Sequence, residues 1–200
     1  MLHSHPVFDA LLSGTKALSV ALGFRDQATQ QHADRVVGLS QALGHACKLT
    51  LAELSLLRVA ATFHDVGKIG IPDRILLKPG RLDSDERQQM QLHSEFGERI
   101  VAASELDGAD SAARIIRHHH EHFDGRGYPD GLAGESIPMC SRIISVCDSY
   151  DAMGAARTYQ NTRSHRDIMA ILAEESGSKH DPAVVRAFSE LIGSNPYRIA

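Results

Sequence analysis

The chain has 200 residues, 42% of them hydrophobic and 23% charged, enough for one sizeable core and rather short for two full domains. A formal net charge of -4 argues against a generic nucleic-acid surface or a polybasic membrane anchor, so no DNA partner is expected and an anionic substrate must be held by local charge or metal. No apolar run approaches the ~20 residues of a membrane span, and Met1 to Ala10 lacks a basic start and an apolar core, which leads to the expectation of a cytoplasmic protein.

Apolar residues recur at helical spacing through most of the chain with few alternating patterns, so the expected class is all-α. Ser4 and Pro6 can open a first helix whose Val7, Leu11, Leu18 and Leu22 form one stripe, although Gly14 weakens its middle. Residues 1–25 are therefore expected to pack on the core or on a second copy, ahead of a domain over 26–200. A second helix, from Asp26 to Ala46, puts His32 on the face of Val36, Leu39 and Leu43. Thr50-Leu51-Ala52-Glu53 is a capping-box pattern, and the helix it opens runs through Leu54, Leu57 and Ala61 to His64.

Gly67, Gly70, Pro72, Pro79 and Gly80 then break the pattern, and Asp83 or Ser84 caps a helix carrying Met90, His93, Gly97, Ile100 and Ser104 on one side. The next helix starts near Asp110 and ends on His119 and His120. A glycine-rich stretch with Pro129 follows from Phe123 to Gly134, a kind of loop more often functional than filler. Pro138 precedes a helix bearing Ile143, Ile144 and Cys147 beside Asp148 and Asp151; two further helices are opened by Ser164 and by Asp181-Pro182. Cys47, Cys140 and Cys147 lack CxxC spacing and read as ordinary free thiols.

Chemistry concentrates in two adjacent pairs, His64-Asp65 and His119-His120. With His32, His93 and Asp148 they offer imidazole ligands for borderline metals and a carboxylate able to bridge two ions, the donor set of a two-metal hydrolytic centre. Taken singly, His32 and His93 each have a bland reading as a semi-buried histidine; the surrounding clusters favour ligands. Adjacent residues diverge by about 100° on a helix, so at a helix end His64 and Asp65 can reach different sides of one cluster. Four of the five positions 118–122 are histidine, and periodicity does not choose the ligand pair among them. Lys68 beside such a site can stabilise phosphate charge or protonate a leaving alkoxide. Tyr128 reads as a loop-packing aromatic or as a group that orients substrate. Asp151 reads as a contact to water at the site or the cap of a network, and Arg157 as a phosphate or guanine contact or a solvated residue.

The segments His64-Asp65-Val66-Gly67-Lys68-Ile69-Gly70-Ile71-Pro72-Asp73 and His119-His120-Glu121 through Gly127-Tyr128-Pro129 resemble those of HD-GYP domains, the cyclic di-GMP phosphodiesterases of the HD superfamily. The resemblance runs from His32 to Phe188 and implies a bundle of about seven helices around a metal centre. It implies His32, His64, Asp65 and Asp148 around one ion, and Asp65, His93, His119 and His120 around a second, with His118 and His122 outside both. Lys68 and Asp65 then serve catalysis, with Lys68 protonating the leaving group, while Tyr128, Arg157 and Asp151 meet the substrate. Two divalent ions are implied, Fe or Mn, with Zn, Ni or Co also compatible with the donors.

Two departures stand out. Ala28, four residues before His32, occupies the place of a glutamate in members with a third metal, which points to two ions. Arg157-Thr158-Tyr159-Gln160 lacks the proline and final basic residue of an Arg-Pro-Tyr-basic segment, which implies a weaker hold on one phosphate or guanine. Such domains often follow a sensory domain, whereas about 25 residues precede the core here, so the expectation is either regulation from elsewhere, through a homodimer or a separate signalling protein, or a chain that is a piece of a larger protein. The implied reaction opens cyclic di-GMP to pGpG and continues more slowly to GMP. The alternatives are another cyclic dinucleotide, a nucleotide phosphomonoester, or a sensor that binds cyclic di-GMP without cleaving it.

Overall fold

A computed structural model of the chain describes residues 6–25, 27–154 and 163–199, and among these the regular elements are helices. Ten α-helices run in the order α1 Pro6–Arg25, α2 Gln27–Ala46, α3 Leu51–Phe63, α4 Asp73–Leu76, α5 Ser84–Gln91, α6 His93–Ala102, α7 Ala109–Arg117, α8 Met139–Gly154, α9 His165–Glu174 and α10 Pro182–Ile192. The all-α expectation holds. The larger number has two local causes. Pro72 starts the single turn α4, and the helix expected through Met90 to Ser104 divides at Leu92, whose N–H bonds back to the Gln89 carbonyl in a tightened turn. That division separates α5, which buries no residue, from α6, which buries His93, Ser94, Gly97 and Val101.

The core follows the apolar stripes read from the sequence. Val36, Leu39 and Leu43 of α2 meet Leu57, Ala60 and Ala61 of α3, Ala112 and Ile116 of α7, Ile143, Ile144 and Cys147 of α8, and Val184 and Phe188 of α10. Each large apolar side chain buried this way contributes about 1.5–3 kcal/mol. Leu11 of α1 is fully buried in the same cluster. All three cysteines are free, and burial pushes the Cys140 and Cys147 thiols up to about 12, which leaves them unreactive. No helix among the described residues is long and apolar enough to cross a membrane.

Helix ends aim the core at one spot. The capping box forms as written: Glu53 N–H donates to Thr50 Oγ1 and Thr50 N–H to Glu53 Oε2. This fixes the start of α3, so its end delivers His64 as the C-cap, and a 3-10 turn, Val66–Gly70, follows directly. Gly67 in that turn presses on the start of α6: a Cβ there would lie 1.9 Å from the His93 carbonyl oxygen. α7 stops at Arg117, so His118, His119 and His120 form a turn beyond the helix and not its last residues. The long loop is tied down from behind, with Phe123 and Asp124 N–H donating to the carbonyls of Lys179 and Ser178.

Candidate metal centre

Three buried histidines share one arrangement. The Nδ1–H of His64 donates to the Ala61 carbonyl at 2.8 Å, that of His93 to Met90 at 2.7 Å and that of His119 to Ile116 at 2.6 Å. A carbonyl only accepts, so the proton sits on Nδ1 and the Nε2 lone pair of each ring is left pointing inward. For His64 and His119 that Nε2 is buried with no hydrogen-bond partner. Leaving one such group unsatisfied costs about 1–3 kcal/mol.

The expected ligands fall into two of the three candidate groups among the described residues. His93, His119 and His120 form one, and His32, His64 and Asp148 the other; within each set the ligand atoms lie within 4.8 Å of one another. Asp65 stands between them, Oδ1 3.6 Å from His93 Nε2 and Oδ2 3.6 Å from His64 Nε2. His120 Nε2 and His93 Nε2 are drawn to 3.1 Å. The residues expected as ligands are thus brought together, in the grouping that the motif resemblance implies.

Electrostatics suits cations. Burial, reinforced by His64 and His93, pushes His119 down to about 3; burial also lowers His93 and, with His119, lowers His120 well below the usual range. All three are therefore neutral, the form that binds metal. Asp65 is buried, which would raise its carboxyl, yet Lys68, His64 and His93 hold it well below the carboxylate range. Burial opposes charge on His32 as well, but its hydrogen bonds to Asp148 and Asp151 raise it to about 10. The proton on His32 Nε2, 2.9 Å from Asp148 Oδ1, stands where a cation shared by the two residues would sit. Orphaned inward nitrogens, neutral imidazoles and an ionised carboxylate between the two sets fit divalent metal.

The centre forms the floor of a cavity of about 910 Å³ lined in part by His32, Asp65, Lys68, His93, His120, Tyr128, Asp148 and Asp151. Lys68 Nζ lies 2.6 Å from Asp65 Oδ2. The Tyr128 ring stacks on His120 with centroids 4.9 Å apart. Asp151, expected at the substrate or in a network, has both oxygens engaged: Oδ2 accepts from His32 Nδ1–H at 2.7 Å and from Arg35 at 2.9 Å, and Oδ1 accepts from Arg35 Nε–H at 2.7 Å. Arg35 was not singled out in the sequence, though it sits one helical turn after His32 and its spacing could have found it. Arg157 lies outside the described residues. His118 falls outside both donor sets and instead bonds Asp130 at 2.8 Å, as Arg117 does, while Asp130 N–H donates to Glu121. This network braces the loop that carries Tyr128.

Residues 16–184 match the HD domain family. The chain is 38% identical over 183 residues to a cyclic di-GMP phosphodiesterase of Thermotoga maritima, covering 92% of this chain and 50% of that protein. It is 37% identical over 173 residues to 3'3'-cGAMP-specific phosphodiesterase 2 of Vibrio cholerae, covering 86% of this chain and 33% of the relative. Among solved structures, an HDG"Y"P protein from Bdellovibrio bacteriovorus shares the fold with a TM-score of 0.69 at 20% identity, over 94% of this chain and 60% of that one. The chain spans half or less of the length of these two curated relatives.

Proposed function

The chain belongs to the HD-domain family and carries its HD-GYP motifs, and from that premise we propose a phosphodiesterase that opens cyclic di-GMP to pGpG, and more slowly to GMP, at a centre of two divalent ions. The observation that carries this reading is the division of the expected ligands into two three-residue sets, with Asp65 between them and two buried, inward Nε2 atoms lacking any other partner.

His32, His64 and Asp148 would hold one ion and His93, His119 and His120 the other, with Asp65 shared. When bound, the ions would activate water and offset charge on the phosphoryl oxygens. The carbonyls of Ala61, Met90 and Ile116 keep the three rings in the tautomer that presents Nε2. Lys68, held by Asp65 at the cavity floor, hands a proton to the departing alkoxide. Tyr128 shapes the wall over His120, and Arg157 is the phosphate or guanine contact in this reading. Two ions suit the chain better than three: Ala28 has no donor atom, and both Asp151 oxygens already accept hydrogen bonds.

The metal is Fe or Mn in this reading, with Zn, Ni and Co as competitors for the same donors. Residues 1–25 act as a packing or dimerisation element ahead of a catalytic unit over 26–200, working in the cytoplasm. The 3'3'-cGAMP-specific relative keeps a second substrate in view, because metal ligands define phosphoester chemistry better than they define bases. Purified protein, analysed for metal and then given cyclic di-GMP or 3'3'-cGAMP without oxygen, should hold close to two ions per chain and release a linear dinucleotide. Tight binding with no cleavage across Fe, Mn, Ni and Co would replace the enzyme with a sensor.

A further inference from the structure

Among the described residues, two arginines and one lysine line the cavity, and two of these three are already committed. Lys68 is paired with Asp65 and Arg35 with Asp151. The third is Arg198, whose guanidinium has no carboxylate partner among the described residues. It comes from the segment after α10, past residue 184 where the family match ends.

That segment is seated on the fold. Tyr197 and Arg198 N–H donate to the Asn195 side chain and carbonyl, and Ile199 N–H donates to the Tyr150 hydroxyl at 3.0 Å. Two helix glycines make room for it. A Cβ at Gly38 of α2 would lie 2.2 Å from the Tyr197 ring, and one at Gly154 of α8 would lie 2.0 Å from Ile199 Cδ1. The segment therefore bridges the two helices that carry His32 and Asp148, and Arg198 sits between its two anchors.

We propose, on the phosphodiesterase reading above, that Arg198 determines substrate specificity by binding the phosphate of the cyclic dinucleotide that is not being hydrolysed. Such a ring carries two phosphodiesters. With one at Asp65 and Lys68, the other must settle elsewhere in the same cavity, in a chain whose net charge of -4 draws no anion by its overall field. Among the described residues that line the cavity, Arg198 is the Lys or Arg not engaged by a carboxylate, and its planar fork suits a phosphodiester.

Metal-loaded wild type, Arg198→Ala and Arg198→Lys are compared on cyclic di-GMP, which has two phosphates, and on bis(p-nitrophenyl) phosphate, which has one. Arg198→Ala should raise KM for the dinucleotide about 10-fold with kcat little changed and weaken its salt dependence, while Arg198→Lys recovers part of the loss. Kinetics on the single-phosphate ester should stay within about twofold of wild type. Equal losses on both substrates would overturn the assignment, since the segment would then only support the fold; so would an unchanged KM for the dinucleotide in a wild type that cleaves it. Equilibrium binding of cyclic di-GMP separates the two readings. A wild type that binds without cleaving, and an Arg198→Ala that binds about 10-fold more weakly, would sink the phosphodiesterase and keep the Arg198 contact. A wild type that binds no cyclic dinucleotide would overturn both.

Discussion

The two halves of the centre are held by different means. In one, His93 and His119 are each oriented by a main-chain carbonyl three residues earlier; in the other, His64 is held in the same way but His32 is oriented from another helix by the Asp151 side chain, itself gripped by Arg35. A carbonyl is present whatever the residue, so no side-chain substitution removes the brace on His93 or His119. On the second, a change that never touches an ion can release the ligand.

The largest effect should come from the one residue common to both halves. Asp65→Asn puts a neutral amide between the donor sets, and metal analysis should find both ions lost or turnover nearly abolished; full occupancy with normal turnover would contradict a shared Asp65. Lys68→Ala leaves the donors alone, so kcat should fall about 10²-fold or more at unchanged metal content. Arg35→Ala and Asp151→Asn test the asymmetry directly. Each should weaken one site by about 10–100-fold, taking the chain toward one tightly held ion, with the His93 half intact. Equal weakening of both sites would show that the halves are not independently held.

The halves should also oppose each other in pH. His119, depressed to about 3, is neutral when folded and gains a proton on unfolding below its ordinary 6.5, so its contribution is present above 6.5 and is lost as pH falls toward 3. His32, raised to about 10, does the reverse: its contribution is complete below 6.5 and disappears as pH rises through 10. The Tm of metal-free protein should therefore decline on both sides of neutrality, and His32→Asn should flatten the alkaline limb alone. The smallest effect belongs to His118→Ala, which removes one bond to an Asp130 that Arg117 still holds and should cost about 1 kcal/mol of stability while both ions stay, whereas His120→Ala should empty a site.

Much of this was legible in the residues. The Thr50 capping box fixed where α3 begins and so which face ends in His64-Asp65, and the apolar stripes chose the buried faces. Other features left no trace in the pattern. The break at Leu92 is invisible because apolar spacing continues across it, although it separates an exposed helix from one that buries His93. The histidine tract has no periodicity to read, and only the end of α7 and the loop network separate His118 from its neighbours. Arg198 follows the last helix with no motif around it, and its position depends on glycines far away in sequence, Gly38 and Gly154.

Gly67 carries one more consequence. Its backbone lies against the His93 carbonyl with no side chain between, so the turn after His64 and the start of α6 meet main chain to main chain. Side chains can rotate to absorb a change; peptide planes in contact act as a hard stop. The span from His64 to His93, which lie in different donor sets, is therefore a gauge fixed by atomic radii: it sets how far apart the two sets stand, and ions that need another spacing should bind with lower occupancy and leave the gap unaltered.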